Sequence, residues 1–357
     1  MCILKGEVPD RSAVKLWGLE PGQEMLAPEY AAVYELAMEC SDLMPYGQVP
    51  FDAYWGVHCD SRMRSFERDR GDDEWVDVVT QIDTPGGVLE GVFRKSKLGN
   101  PGYQEVYMVT RPEQIQELLT IPFEPMVFDG NKYLEMEHKV GDRGVTVMLL
   151  DHAGHGLERL IGSENMALWS IDHRDLLLEA VATFAGRIRG VVEGAFEAGL
   201  KPVFGWCGPE LFMPPLMGPQ DFEDFVFEFD KPLIDLIHEG GGHAWVHCHG
   251  KMNDVLPRFV EMGVDLLNPI EPPPMGDVTM AEAFDRVGDD MGLEGGVQIH
   301  DLMVMDSDEV AAMVRATKAG GEGRRFVLGT CSGYMEWPRP EPRMIENMLT
   351  YLREAVV

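Results

Sequence analysis

Val246-His247-Cys248-His249-Gly250 is where this chain concentrates side chains able to bind a metal or move a proton. It closes a short apolar run, Ala244 to His247, that reads as a β-strand. Side chains alternate across a strand, so His247 and His249 share one face while Cys248 takes the other. Two imidazoles presented together suit Zn²⁺, with a thiolate from elsewhere as third ligand and an open position for a reacting group. Cys331, in Thr330-Cys331-Ser332-Gly333 after the last apolar run, is the candidate thiolate. A single His or Cys is more often structural; three ligand-type residues in succession after one strand point to metal chemistry.

Other strand ends carry similar residues. Val145 to Leu150 leads into Asp151-His152-Ala-Gly-His155, and Pro202 to Trp206 into Cys207-Gly-Pro-Glu210. Val264 to Leu267 leads into Asn268-Pro-Ile-Glu271, and Gly296 to Ile299 into His300-Asp301. Asp151 and His152 suit a general base, a ligand or a substrate anchor, against the plainer reading of a helix cap. Glu210 is either an additional metal ligand or a solvated loop acid. Glu271 opens the stiff loop Glu271-Pro272-Pro273-Pro274, where each Pro fixes its own φ and restricts its predecessor, so it either faces substrate or shapes the rim. Cys207 reads as a small buried residue, and the 23 Met residues as flexible core filling.

Positioning these residues together requires parallel strands. Helical stretches separate most of the runs: Arg174 to Ala198, Pro219 to Glu239, Asn253 to Met262, Met280 to Val287, Ser307 to Ala319 and Pro342 to Val357. Strands alternating with helices call for a parallel α/β sheet, and six units in the C-terminal portion favour a single (β/α)8 TIM-type barrel over an open sheet. In such a barrel the C-terminal strand ends converge on one mouth. Neither GxGxxG nor GxxxxGK[ST] follows a strand, so no phosphate-binding fingerprint supports the open sheet. Residues 1–139 read as an N-terminal extension with the first barrel elements, and 140–357 as regular β/α units. The extension holds a helix over Pro28 to Met44, a hairpin of Glu74 to Ile82 and Val88 to Phe93 around Thr84-Pro85-Gly86-Gly87, and a strand over Glu105 to Thr110.

Composition bounds the partners. Thirty Lys and Arg against 61 Asp and Glu leave a net charge of −31 over 357 residues, with 45% hydrophobic and 25% charged residues. That is a globular composition whose field repels nucleic acid and anionic membranes. Six scattered cysteines (Cys2, Cys40, Cys59, Cys207, Cys248 and Cys331) are no disulfide framework, and no apolar run is long enough to cross a bilayer. The expectation is a cytoplasmic protein with a small substrate.

At these residues the sequence resembles the uroporphyrinogen decarboxylase superfamily, over most of the chain. Leu16-Trp17 followed by Pro28-Glu29-Tyr30 is similar to the family's opening, and Leu216 to Gly250 resembles its helix–strand signature. The resemblance implies one (β/α)8 barrel with its site at the strand C-termini. True decarboxylases of the family bind a porphyrinogen through N-terminal arginines; the corresponding stretch here, Leu16 to Met25, has no arginine and contains Glu20 and Glu24. The branch it resembles more is that of zinc methyltransferases working with corrinoids, whose His-x-Cys-Gly motif and later Cys hold the metal. His247 matches the family His, His249 stands in place of the Cys, and Cys331 matches the later Cys. The resemblance thus implies zinc on His247, His249 and Cys331, with Glu210 as an additional ligand and Asp151, His152 and Glu271 as catalytic or substrate-orienting groups. It implies a small methyl donor or acceptor and a corrinoid (cobalamin), on a partner corrinoid protein or free. Fewer thiolates make the metal a stronger Lewis acid and a bound thiol less nucleophilic, so an oxygen-bearing donor or a non-thiol acceptor also fits. A metal-independent decarboxylase or lyase of a smaller acid, with Asp151 and His152 as acid and base, and a non-catalytic metal- or corrinoid-binding protein are the alternatives.

Overall fold

The computed structural model describes residues 1–49, 55–56, 62–333, 335 and 339–357; Cys59 lies outside them. Its larger sheet has eight strands: β1 (Ala13–Lys15), β2 (Tyr46–Gly47), β7 (Val147–Leu149), β8 (Val203–Cys207), β9 (His243–His247), β10 (Leu266–Ile270), β11 (Gly292–Val297) and β12 (Phe326–Thr330). The order is β1-β12-β11-β10-β9-β8-β7-β2, and every pairing is parallel. The helices expected between the later strands are present, and they cover the apolar outer faces.

The sheet curls until its edge strands meet a common strap. Asp42 N donates to Val14 O at 2.7 Å, and the Asp42 carboxylate accepts from Val14 N at 3.0 Å. The next residue, Leu43, accepts from Val145 N at 2.9 Å and forms a parallel bridge with Gly144. The dipeptide leading into edge strand β2 therefore bonds the opposite edge strand β1 on one side and the approach to β7 on the other, satisfying backbone groups that would otherwise be left unpaired. Inside the curl, Val147, Val203, Trp245, Leu266 and Val327 pack with Ile3 and Leu4 as a separate core. Arg325 fixes that plug by donating to Ile3 O at 2.9 Å.

The smaller sheet lies between β2 and β7 in the chain. It is antiparallel, in the order β3 (Met63–Arg68), β4 (Trp75–Thr84), β5 (Gly87–Ser96) and β6 (Tyr103–Val106). The expected hairpin is there, closed where Thr84 Oγ1 donates to Gly87 O at 2.8 Å. Asp77 on β4 is fully buried beneath Arg68, Arg70 and Arg94, at 3.3, 2.5 and 3.6 Å. The stretch before residue 139 thus holds two strands of the large sheet and an inserted antiparallel sheet. β1 and β2 have three and two residues, too few for an alternation to show in the sequence. The run expected at Gly296 to Ile299 is displaced: β11 begins at Gly292, and Ile299 already opens the helix Ile299–Val304. Among the described residues no helix is long and apolar enough to cross a membrane.

Gly144 is required at the strap, because a Cβ there would fall 1.8 Å from the Leu43 carbonyl oxygen. Gly144→Ala is expected to destabilise the fold by about 1–3 kcal/mol; an unchanged denaturant midpoint would contradict the strap's role.

Candidate active site

β9 ends at His247, whose side chain is almost fully buried inside the curl. A chain of hydrogen bonds decides which of its nitrogens is free. Glu294, mid-strand in β11 and wholly buried, accepts from Lys15 Nζ at 2.7 Å and from Trp245 Nε1 at 3.2 Å. It also accepts from Asn268 Nδ2 at 2.7 Å. A carboxylate only accepts, so the Asn268 amide must turn its NH₂ toward Glu294 and its Oδ1 toward His247 Nδ1, 2.6 Å away. Nδ1 therefore carries the proton, and Nε2 presents a bare lone pair. Burial, reinforced by the neighbouring His249, pushes His247 down to about 3, so the ring stays neutral.

His249 stands beside it, edge to face, with ring centroids 4.5 Å apart. Its Nδ1 is 3.1 Å from Glu271 Oε1. Burial disfavours the imidazolium, but Glu271, with Glu210 further off, outweighs burial and raises His249 above its ordinary value. Glu271 follows β10 and is held by Gly250 N at 3.0 Å and Gln298 Nε2 at 3.0 Å. Burial pushes its carboxyl up, yet the bonds from His249, Gly250 and Gln298 bring it below the usual range. The indole of Trp17 lies 4.7 Å from the His247 ring. The mouth thus holds one neutral imidazole with an open acceptor and one imidazole–carboxylate pair in which Glu271 favours the charged ring.

The other expected site residues are engaged differently. Glu210 lies on the turn Pro209–Phe212, its Oε2 accepting from Gly208 N at 3.1 Å; burial raises its carboxyl, opposed by His249 and His152. Burial, then Glu210, pushes Cys207 up to about 12. Cys331 is fully buried, and burial followed by Glu271 raises its thiol strongly, disfavouring a thiolate. Asp151 is half-exposed and paired with Arg159 at 2.7 Å. His152 turns outward: it caps the helix Ala153–Ile161 by accepting from His155 N, and its other nitrogen faces Asp230 on the helix Glu228–Glu239. The plainer capping reading of this segment is the one the fold realises, although the capping side chain is His152 and not Asp151.

The donor set decides how far zinc fits. His247 and His249 come together, but among the described residues no group of three or more His, Cys, Asp and Glu side chains converges as a metal would need. His247, His249, Cys331 and Glu210 therefore do not form the four-residue ligand set expected of them. Glu271 occupies one nitrogen of His249, and Cys331 stays a buried thiol.

Sequence reasoning gave no role to Lys15, Asn268, Glu294 or Gln298. A signal existed: Lys15 in Ala-Val-Lys-Leu-Trp and Glu294 in Gly-Leu-Glu-Gly-Gly-Val are lone opposite charges within apolar or glycine-rich runs. Such residues are buried only when paired.

No family model matches the chain, and no curated protein matches it. Solved structures do. A methyltransferase from Methanosarcina mazei superposes with a TM-score of 0.59 at 15% identity, covering 99% of this chain and 96% of its own. A B12-independent methionine synthase from a Shewanella species gives a TM-score of 0.46 at 12% identity, covering 97% and 95%. The first likeness shows a shared fold of TIM-barrel type.

Two measurements test the site. Lys15→Met leaves Glu294 buried without its cation and is expected to cost about 3–5 kcal/mol; a loss under about 1 kcal/mol would show that the network does not hold the mouth. In an NMR titration His249 should have its midpoint above about 6.5, falling on Glu271→Gln. The sign follows from linkage. The raised His249 contributes stability in full below about 6.5 and loses it as pH rises through the folded value. The lowered Glu271 contributes above about 4.3 and loses it as pH falls through its own. The pair therefore stabilises most between the two, and a His249 midpoint indifferent to Glu271→Gln would refute it.

Proposed function

We infer that this chain is a methyltransferase that moves a methyl group between a small substrate and a corrinoid, bound free or on a partner corrinoid protein. The observation that carries this reading is the His247–His249 pair at the mouth, with His247 Nε2 held open by the buried network. The fold shared with a methyltransferase, and the resemblance at Leu216 to Gly250, support it. A single eight-stranded β/α barrel in the sense of that family is part of the same proposal.

Methyl transfer to a thiol or alcohol requires the acceptor to give up its proton and to carry negative charge on the reacting atom. His247 Nε2 is placed to accept a hydrogen bond from that group. A ring with so low an affinity for protons orients the group and does not keep its proton, which passes to solvent reaching the mouth beside the partly exposed His249. His249, held protonated by Glu271, supplies positive charge beside the atom where negative charge develops. Trp17 packs on the His247 ring and limits the access of water to it. Bound corrinoid supplies or takes the methyl group. In the opposite direction, the same imidazolium stabilises the departing thiolate or alkoxide.

Zinc is the finer part of the proposal. The chain offers it two imidazoles side by side, which is less than the resemblance implies, so no step above passes through the metal. A lyase built on Asp151 and His152 has less support, since the first pairs with Arg159 and the second faces the helical layer.

The deciding experiment combines metal analysis of the purified protein with methyl transfer between methylcobalamin and a panel of thiols and alcohols. Turnover that His249→Ala reduces by about 10²-fold or more is expected, as for loss of a charge-stabilising donor. Absence of turnover with every acceptor would refute methyl transfer. Stoichiometric zinc lost on His249→Ala would establish the metal, and full activity of metal-free protein would exclude it.

A further inference from the structure

A second hollow, away from the mouth, opens in the helical layer between the helices Arg174–Glu197 and Glu228–Glu239. It has a volume of about 180 Å³ and reaches inward to His152, Trp206 and Asp230. Sequence explains the opening. Ala182, Ala185 and Gly186 leave one wall without bulk, and Gly186 has nothing within 4 Å of where a Cβ would stand. On the other wall Pro232 sits inside the helix and removes a backbone donor, and the preceding turn, Glu223–Phe227, is π-helical. Either irregularity spreads a helix locally, and π turns frequently accompany functional sites.

The floor is electrostatically incomplete. Asp230 is 4% exposed, and Trp206 Nε1 donates to its Oδ2 at 2.9 Å. Its other oxygen, Oδ1, has His152 Nε2 at 3.5 Å, too long for a good hydrogen bond. His152 accepts from His155 N through Nδ1, so Nε2 is the nitrogen it turns toward Asp230. The charged groups at the rim are Asp151, paired with Arg159; Arg189, paired with Glu193; and the exposed Glu228. Among the described residues no Lys or Arg forms an ion pair with Asp230; His152 is the partner it has. A carboxylate withdrawn from water without a cation is costly, and the cost is relieved when a cation enters. The remaining walls include Trp206, Phe229 and Leu233, apolar surfaces suited to alkyl groups, and an indole face attracts a cation.

We propose that this hollow is a binding site for a small organic cation, an alkylammonium whose charged head pairs with Asp230 while its alkyl part lies against Trp206 and Phe229. The site is independent of the methyl-transfer reading, because none of its residues lies in the His247–His249 pair or in the network behind it.

Isothermal titration of the full-length protein with n-propylammonium chloride tests the proposal, with n-propanol and sodium chloride as the neutral and ionic controls. Saturable binding with a dissociation constant of ~1 mM is expected for the ammonium alone. Asp230→Asn should weaken it about tenfold or more. Gly186→Leu, which fills the hollow from the facing helix with a better helix former, should abolish it while circular dichroism stays unchanged. If Asp230→Asn does not fold, Gly186→Leu decides alone. No saturation by ~20 mM, binding of n-propanol as tight as that of the ammonium, or undiminished binding by Gly186→Leu would overturn the proposal.

Discussion

Glu294 is a carboxylate in the middle of a strand with no access to water, and the molecule has to answer that charge from several directions. Lys15 on β1, Asn268 on β10 and Trp245 on β9 each reach it, so one side chain ties four of the eight strands in the large sheet. Each partner is itself constrained. Lys15 is sandwiched over Trp17 and Trp245 at 4.9 and 4.7 Å, and Asn268 has its amide orientation dictated by the carboxylate. A buried polar network of this kind is favourable only when every member is satisfied, and a shift of one strand by a residue would leave a charge alone. The network therefore fixes both the register of the sheet and the tautomer of His247.

The same principle, applied twice, separates two kinds of buried carboxylate. Glu294 is met by Lys15 from β1, and Asp77 by Arg68 and Arg94 from the adjacent strands and by Arg70 just beyond β3, and their regions read as closed structure. Asp230 is met by an indole and an imidazole, next to open volume. Glu271 lies between these cases. Its partner His249 is itself titratable, which is why that pair, and not the Lys15–Glu294 pair, belongs to the mouth where protons and charge are exchanged.

Much of this was legible before any coordinates. The alternation of apolar runs and amphipathic helices after Gly144 required a parallel sheet, and the two-residue period of a strand put His247 and His249 on one face. The Thr84-Pro85-Gly86-Gly87 turn between alternating runs marked the hairpin. Less legible were β1 and β2, whose few residues carry no period, and β11, where glycines replace the apolar residues that would have announced it. Asp151 and His152 misled for a related reason. A strand end is recognisable in sequence, but whether the next side chain turns into the mouth or out to the helices depends on the path of the chain beyond it.

The amino-acid sequence by itself determined the class of fold and the presence of a paired-imidazole strand end, because both follow from periodicities set by local backbone geometry. Which long-range partners those imidazoles meet was decided only in three dimensions. Lys15 and Glu294 are 279 residues apart, His249 and Glu271 are 22 apart with Gln298 further on, and no local rule joins them. The same holds for the ligand set: Cys331 and His249 were compatible by residue type, but burial and the claim of Glu271 on His249 are properties of the packed interior. Electrostatic pairing acts through space, so it becomes visible only when the sheet has curled and brought the charges within reach.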